Sequence, residues 1–227
     1  MMAIVRPTLA RQAYEEIQKK ILTGELPAGK RIFADELASE LSISPTPVKE
    51  ALALLERDGL VEGTERRASV VRRFTPADIR EIYEARVLLE LNAVRAGIAA
   101  GRLDDAFLHR MEAIYAAHVG LLDRAAGAAP VLAEVIGLDR DFHETIMTLG
   151  GNGLLSSWHQ TILWQTQSIR TYSPETYDFE RSRAEHEAIL GAMRGRDPAR
   201  IVAALTDHLE KSRDHLLIHA PGAAPSR

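Results

Sequence analysis

Asp139 and His143 stand four residues apart in LDRDFHETI, so on a helix both side chains project from one face about a turn from each other. His186, in EHEAI, and His208, in DHLEK, fall in two further runs of helical character. Each lies beside apolar positions: Val135, Leu138, Phe142, Ile146 and Leu149 for the Asp139/His143 pair, Ile189, Leu190 and Met193 for His186, and Ile201, Leu205 and Leu209 for His208. Three imidazoles and a carboxylate turned into a bundle suit a divalent transition metal, because borderline nitrogen donors match Zn, Ni, Cu or Fe. A single helical His more often makes only a local hydrogen bond, and an Asp/His pair at this spacing is also common on solvent-facing helices. His118, His159 and His215 compete for the same role, His215 one heptad beyond His208 and on nearly the same face. Spacing alone leaves the set open.

A second chemistry lies upstream, in DELASELSISPTPVKEALALLERDGLVE from residue 35 to 62. Leu37, Ala38 and Leu41 give a short helix an apolar face, Ser42-Ile43-Ser44-Pro45 breaks it, and Val48, Ala51, Leu52, Leu54 and Leu55 begin another. Thr46 before Pro47 reads as a cap followed by a first helical position, and Asp58-Gly59 ends the run. Two short helices joined by a tight turn form a helix-turn-helix, whose second helix can enter the major groove of DNA. Leu60-Val61, a polar tip and Ala68-Ser69-Val70-Val71 then read as a β-hairpin, the wing of a winged helix. The expected first domain is residues 1–73.

The elements that must hold the Asp and His residues follow. An earlier helix over 8–23 precedes ELPAGKRI, read as a loop. Thr75-Pro76-Ala77-Asp78 is a helix start with a Thr cap, a Pro and an acid three residues on. Helices are expected over about 76–100, 103–126, 131–149, 154–170, 177–194 and 198–219, separated by Gly- and Pro-containing breaks. The fold class is therefore mostly α: a winged helix-turn-helix with a small hairpin wing, then an all-α bundle of six to seven helices over 74–219, then a disordered tail at 220–227.

Composition bounds the function. The chain has 227 residues and no cysteine, which excludes disulfides and thiolate metal sites. The N-terminus lacks the apolar core of a signal peptide, and no run of about 18 apolar residues occurs, so a cytoplasmic protein with no membrane partner is expected. A net charge of -4 argues at first against nucleic acid. Residues 1–73 alone carry +1, and Arg66, Arg67, Arg72 and Arg73 cluster without an acid among them, so guanidinium groups can gather near phosphates.

The segment PAGKRIFADELASELSISPTPVKEALALLERDGLVE resembles the winged helix of GntR-type bacterial regulators. From Phe74 onward, FTPADIREIYEARVLLELNAVRAGIA resembles the opening of their FadR-like effector domain, usually called FCD. The similarity continues through Asp139, Phe142 and His143, through Gly151-Asn152, and through EHEAILGAMRGRDPARIVAALTDHL. The resemblance implies a transcription regulator, not an enzyme, acting as a homodimer on a pseudo-palindromic double-stranded operator, while repressor or activator stays open. It implies a pocket for a small carboxylate metabolite, with a divalent transition metal, Zn or Ni, held by Asp139, His143, His186 and His208. Thr46 and Lys49 are the expected groove contacts, and Arg31, Arg66 and Arg67 the expected phosphate or minor-groove contacts. The chain departs from the family pattern at Phe33, Pro45, Lys49 and Ala68, so the family's operator sequence does not carry over. Arg86 is expected to reach the metabolite's carboxylate or to pair with an acid across the domain, with a purely structural salt bridge the alternative reading. Two rival readings of the bundle are a metal sensor and a metal-dependent hydrolase.

Overall fold

The computed structural model describes residues 8–64, 68–124, 129–172 and 176–219. The chain divides into two compact units, residues 1–73 and 74–227.

In the first unit α1 (Leu9–Leu22) starts on Thr8, whose hydroxyl accepts from the Arg11 N–H at 3.2 Å. It buries Tyr14, Ile17, Ile21 and Leu22, an i, i+3, i+7, i+8 stripe that packs on α3. The helix-turn-helix is α2 (Ala34–Glu40) and α3 (Pro45–Arg57). Ser42 in the turn takes φ 56°, and α3 buries Val48, Ala51, Leu52 and Leu55. Helix α3 begins earlier than its sequence suggests: Ser44 is the cap residue and Pro45 the first helical position, so Thr46 lies inside the first turn. Both prolines are tolerated there because first-turn N–H groups have no intrahelical acceptor to lose.

The wing is β2 (Val61–Gly63) antiparallel to β3 (Ser69–Val71), with Val61 opposite Val71. A further strand, β1 (Arg31–Ile32), pairs with the other edge of β3, giving the order β1-β3-β2. The loop reading of ELPAGKRI is corrected at its end: two residues are too few to display alternation, and only pairing with β3 makes them a strand.

Among the described residues the second unit is a bundle of six helices: α4 (Pro76–Ala99), α5 (Asp105–Arg124), α6 (Ala129–Thr148), α7 (Gly153–Arg170), α8 (Phe179–Arg194) and α9 (Pro198–His219). Thr75 and Asp78 form a reciprocal capping box at the start of α4. The core joins Phe74, Ile79, Tyr83, Phe107, Met111, Phe142, Ile146, Ile189, Leu205 and Leu209. Helices α4 and α6 approach closely at Gly97, where an added Cβ would lie 2.5 Å from Leu149 Cβ and 2.9 Å from its carbonyl oxygen. The α6–α7 turn is closed by Gly151 at φ 63°, by Asn152 capping α7, and by Arg102, which donates to the carbonyls of Leu149 and Gly150. These devices fix the axial position of α6, and with it Asp139 and His143.

Candidate functional site

Asp139 and His143 project from α6, His186 from α8 and His208 from α9, and all four are buried in the bundle. Their ligand atoms lie within 4.8 Å of one another. His143 Nε2 stands 3.0 Å from His208 Nε2, and His186 Nε2 stands 3.4 Å from Asp139 Oδ1. Metal–nitrogen bonds of about 2.1 Å put adjacent ligands roughly 3.0–3.4 Å apart, so the spacing fits one small divalent ion.

The outer atoms of the rings support this. His143 Nδ1 meets Glu90 Oε2 at 2.7 Å and His208 Nδ1 meets Glu185 Oε2 at 2.8 Å. A carboxylate accepts, so each Nδ1 carries its proton and each Nε2 presents a bare lone pair. Two such lone pairs face each other at 3.0 Å. That arrangement is repulsive until a cation lies between them. Asp139 Oδ1 and His186 Nε2 are also buried without a hydrogen-bond partner. Ring nitrogens oriented by carboxylates are the usual support of a metal-binding imidazole. The residues fit the ion.

Electrostatics agree. Burial opposes ionisation of Asp139, but the Arg170 guanidinium beside it outweighs that and holds the carboxyl far below the usual range. Burial, reinforced by neighbouring imidazoles, pushes His186 and His208 well below ordinary histidine values, and burial also lowers His143. Neutral imidazoles and an ionised carboxylate are the states a metal requires.

Arg170, at the end of α7, donates to Asp139 Oδ2 at 2.5 Å and to Ser212 Oγ at 3.2 Å. Beside it opens a pocket that reaches Asp139 and His208, with Arg170, Tyr177, Arg181, Glu185 and His215 in its walls. Burial pushes the Tyr177 phenol up to about 12, so it is a neutral hydrogen-bonding group there. His215 thus faces the pocket, while His208 belongs to the cluster. His118 is 2% exposed and packs edge-on against the His186 ring at 5.1 Å. His159 is held by Glu90 Oε1 at 2.9 Å.

Arg86 is wholly buried, and the acid it meets is Glu90, at 2.9 Å and one turn along its own helix. The acid it pairs with is thus not across the domain but one turn along α4, a structural salt bridge between i and i+4. Its Nη1 and Nη2 have no hydrogen-bond partner. Arg170, Glu90 and Glu185 escaped the sequence reading. Glu90 could have been found from its spacing to Arg86, and Glu185 from its place beside His186. Arg170 carries no such signal, since a basic residue ending a helix reads as a partner for the helix dipole.

In the first unit Thr46 and Lys49 are exposed on α3, and Arg31 is exposed on β1. Glu50, Ala53 and Arg57 continue the same exposed stripe of α3. Arg66 and Arg67, like the tail at 220–227, lie outside the described residues.

Residues 9–71 match the family described as bacterial regulatory proteins, gntR family, and residues 81–211 match the FCD domain. The chain belongs to the GntR family. A regulator of the FCD class, it is similar to an HTH-type transcriptional regulator from the TAR-I ttuE-ttuC' intergenic region of Agrobacterium vitis, 34% identical over 64% of this chain and 70% of that one. It is 32% identical to the HTH-type regulator YdhC of Bacillus subtilis over 62% of this chain and 60% of YdhC. Among solved structures, E. coli McbR/YncC superposes with a TM-score of 0.76 at 20% identity, covering 93% of this chain and 98% of that one, a likeness of fold. The regulator is thus a DNA-binding transcription factor with an FCD effector domain, in a family of regulators and not of enzymes. Among the described residues no helix is long and apolar enough to cross a membrane.

Proposed function

We propose that this GntR regulator is a homodimeric, cytoplasmic, metal-containing switch that binds a pseudo-palindromic operator and answers to a small organic acid. The observation that carries the effector half is four buried ligand atoms within 4.8 Å of one another, two of whose residues, Asp139 and His208, line a pocket walled by Arg170 and Arg181. Asp139, His143, His186 and His208 would hold the ion, with Zn or Ni suited to nitrogen-rich ligation. Bound there, the ion supplies a Lewis-acidic point for a carboxylate oxygen. The chain's own residues do the remainder. Glu90 and Glu185 orient the imidazoles, Arg170 fixes the Asp139 carboxylate and adds positive charge to the pocket, and the buried helices exclude water. Arg86, proposed for the effector's carboxylate, keeps two unpartnered terminal nitrogens but is wholly buried and is not in the lining of that pocket. In the winged helix, Thr46 and Lys49 would contact base edges, and Arg31, Arg66 and Arg67 the backbone.

The acid acts only through unequal affinity for two states of the protein, so its effect on operator affinity and the operator's effect on its own binding must be reciprocal. The direct test is a gel shift with the intergenic DNA upstream of the regulator's own gene, with and without metabolites. A retarded band that survives competitor DNA and changes with one acid is expected; a protein with no preference over competitor overturns the reading. The pocket beside the cluster favours a resident ion with an organic signal over a sensor of the metal itself. A metal that is retained through dialysis distinguishes the two, because a sensor must exchange its ion.

A further inference from the structure

Glu90 and Glu185 perform the same task for different imidazoles but are satisfied differently. Glu90 Oε2 meets His143, and its Oε1 meets both Arg86 Nε and His159 Nε2 at 2.9 Å, so neither oxygen is left bare. Glu185 Oε2 meets His208 Nδ1 at 2.8 Å, yet its Oε1 is buried and accepts no hydrogen bond. One turn back on α8, Arg181 Nε stands 4.0 Å from that oxygen, itself buried and without a hydrogen-bond partner, while Nη1 donates to the Lys211 carbonyl at 3.0 Å. Glu185 is 8% exposed, so bulk water does not serve it. Both side chains line the pocket that reaches Asp139 and His208.

A bare carboxylate oxygen and a bare N–H, 4.0 Å apart on one wall, are the complement of a hydroxyl, which donates to one and accepts from the other. An oxygen roughly 2.9 Å from each can stand in such a gap. An ammonium group could donate to Glu185 but has no lone pair for Arg181, and it adds positive charge beside Arg170 and Arg181. A second carboxylate would set like charge against Glu185, a repulsive element that rejects competitors.

We infer that the pocket selects hydroxy acids: monocarboxylates whose hydroxyl sits between Arg181 Nε and Glu185 Oε1. This rests on the pocket being the effector site, and it names the class of effector.

The test is calorimetric titration of the full-length, metal-loaded protein with matched acids. One set is propionate, lactate, alanine and malonate; another is butyrate, 3-hydroxybutyrate, 3-aminobutyrate and succinate; a third is benzoate with its hydroxy, amino and dicarboxylate counterparts. In the set that fits, the hydroxy acid should bind about tenfold or more tighter than its deoxy parent, because the parent leaves two buried groups unmatched. The amino acid and the dicarboxylate should also bind more weakly than the hydroxy acid. Glu185→Gln, which can still accept from His208 while turning an amide N–H toward the pocket, should raise the dicarboxylate about tenfold relative to the hydroxy acid. Arg181→Met, which leaves the Glu185–His208 hydrogen bond in place, should reduce the hydroxyl preference and decides the matter if Glu185→Gln loses its metal. Hydroxy and deoxy acids binding within about twofold of each other, or a wild-type preference for the amino acid or dicarboxylate, would overturn the inference while leaving the effector site standing. If no acid in any set binds, the effector site itself falls.

Discussion

The facing lone pairs of His143 and His208, 3.0 Å apart, set what metal removal should do. Stripping the ion leaves them opposed and leaves Asp139 Oδ1 and His186 Nε2 without partners. At metal concentrations about a hundred times the dissociation constant, binding adds about 2.7 kcal/mol, which for a unit of this size corresponds to roughly 5–10 °C in Tm. A chelator should lower Tm by that amount, a stoichiometric divalent ion should restore it, and His186→Ala should abolish both responses; scanning calorimetry reads all three. Arg86→Met probes the neighbouring pair. It leaves the buried Glu90 charge with its two imidazole hydrogen bonds but without its guanidinium, so a loss of about 3 kcal/mol or more is expected in urea denaturation. Adding Glu90→Gln should return part of it, since that charge is then gone. At this scale the sequence displays Asp139, His143, His186 and His208 through spacing and apolar neighbours. It cannot separate His208 from His215, because one heptad returns a side chain to nearly the same face, and only the packing around α9 buries the first and leaves the second in the pocket wall.

The elements were more legible than the side chains. All six bundle helices announce themselves by caps, glycines and apolar period, and the capping box at Thr75 and Asp78 is visible in four letters. What escaped depends on partners distant in the chain: β1 exists only because β3 lies beside it, and α3 begins at Pro45 because backbone geometry outweighed the hydroxyl of Thr46. Helix contact makes its own prediction at Gly97. Replacing a helical glycine with alanine ordinarily stabilises by about 0.5–1 kcal/mol, and Gly120→Ala, with nothing within 4 Å of the added methyl, should do so. Gly97→Ala should have the opposite sign and cost about 1–3 kcal/mol, because its methyl meets Leu149 Cβ and the adjoining backbone. Paired denaturation curves settle the contrast. On α3, Lys49→Ala should weaken operator binding; a base-edge role shows as relaxed sequence preference, whereas a phosphate role lowers the salt slope by about one.

At the scale of the whole molecule, the proposed dimer makes operator spacing a geometric requirement. Half-sites one helical turn apart, about 34 Å, allow both winged helices to dock together. Inserting about 5 base pairs turns one half-site to the far side of the duplex, and affinity should fall by about a hundredfold or more as the second contact is lost. Anisotropy titrations on a spacer series measure this, and a flat series would favour binding by single subunits.

One bond near the join of the chain's two halves has a consequence of its own. The backbone N–H of Phe74, the residue that directly follows the winged half, donates at 2.8 Å to the phenol oxygen of Tyr172, and Tyr172 is part of the pocket wall. If an occupant of the pocket displaces this ring, Phe74 loses that acceptor, and the first residue of the bundle half is released from it. Tyr172→Phe removes the acceptor and keeps the wall: the acid should bind nearly as before, but the operator should no longer notice it.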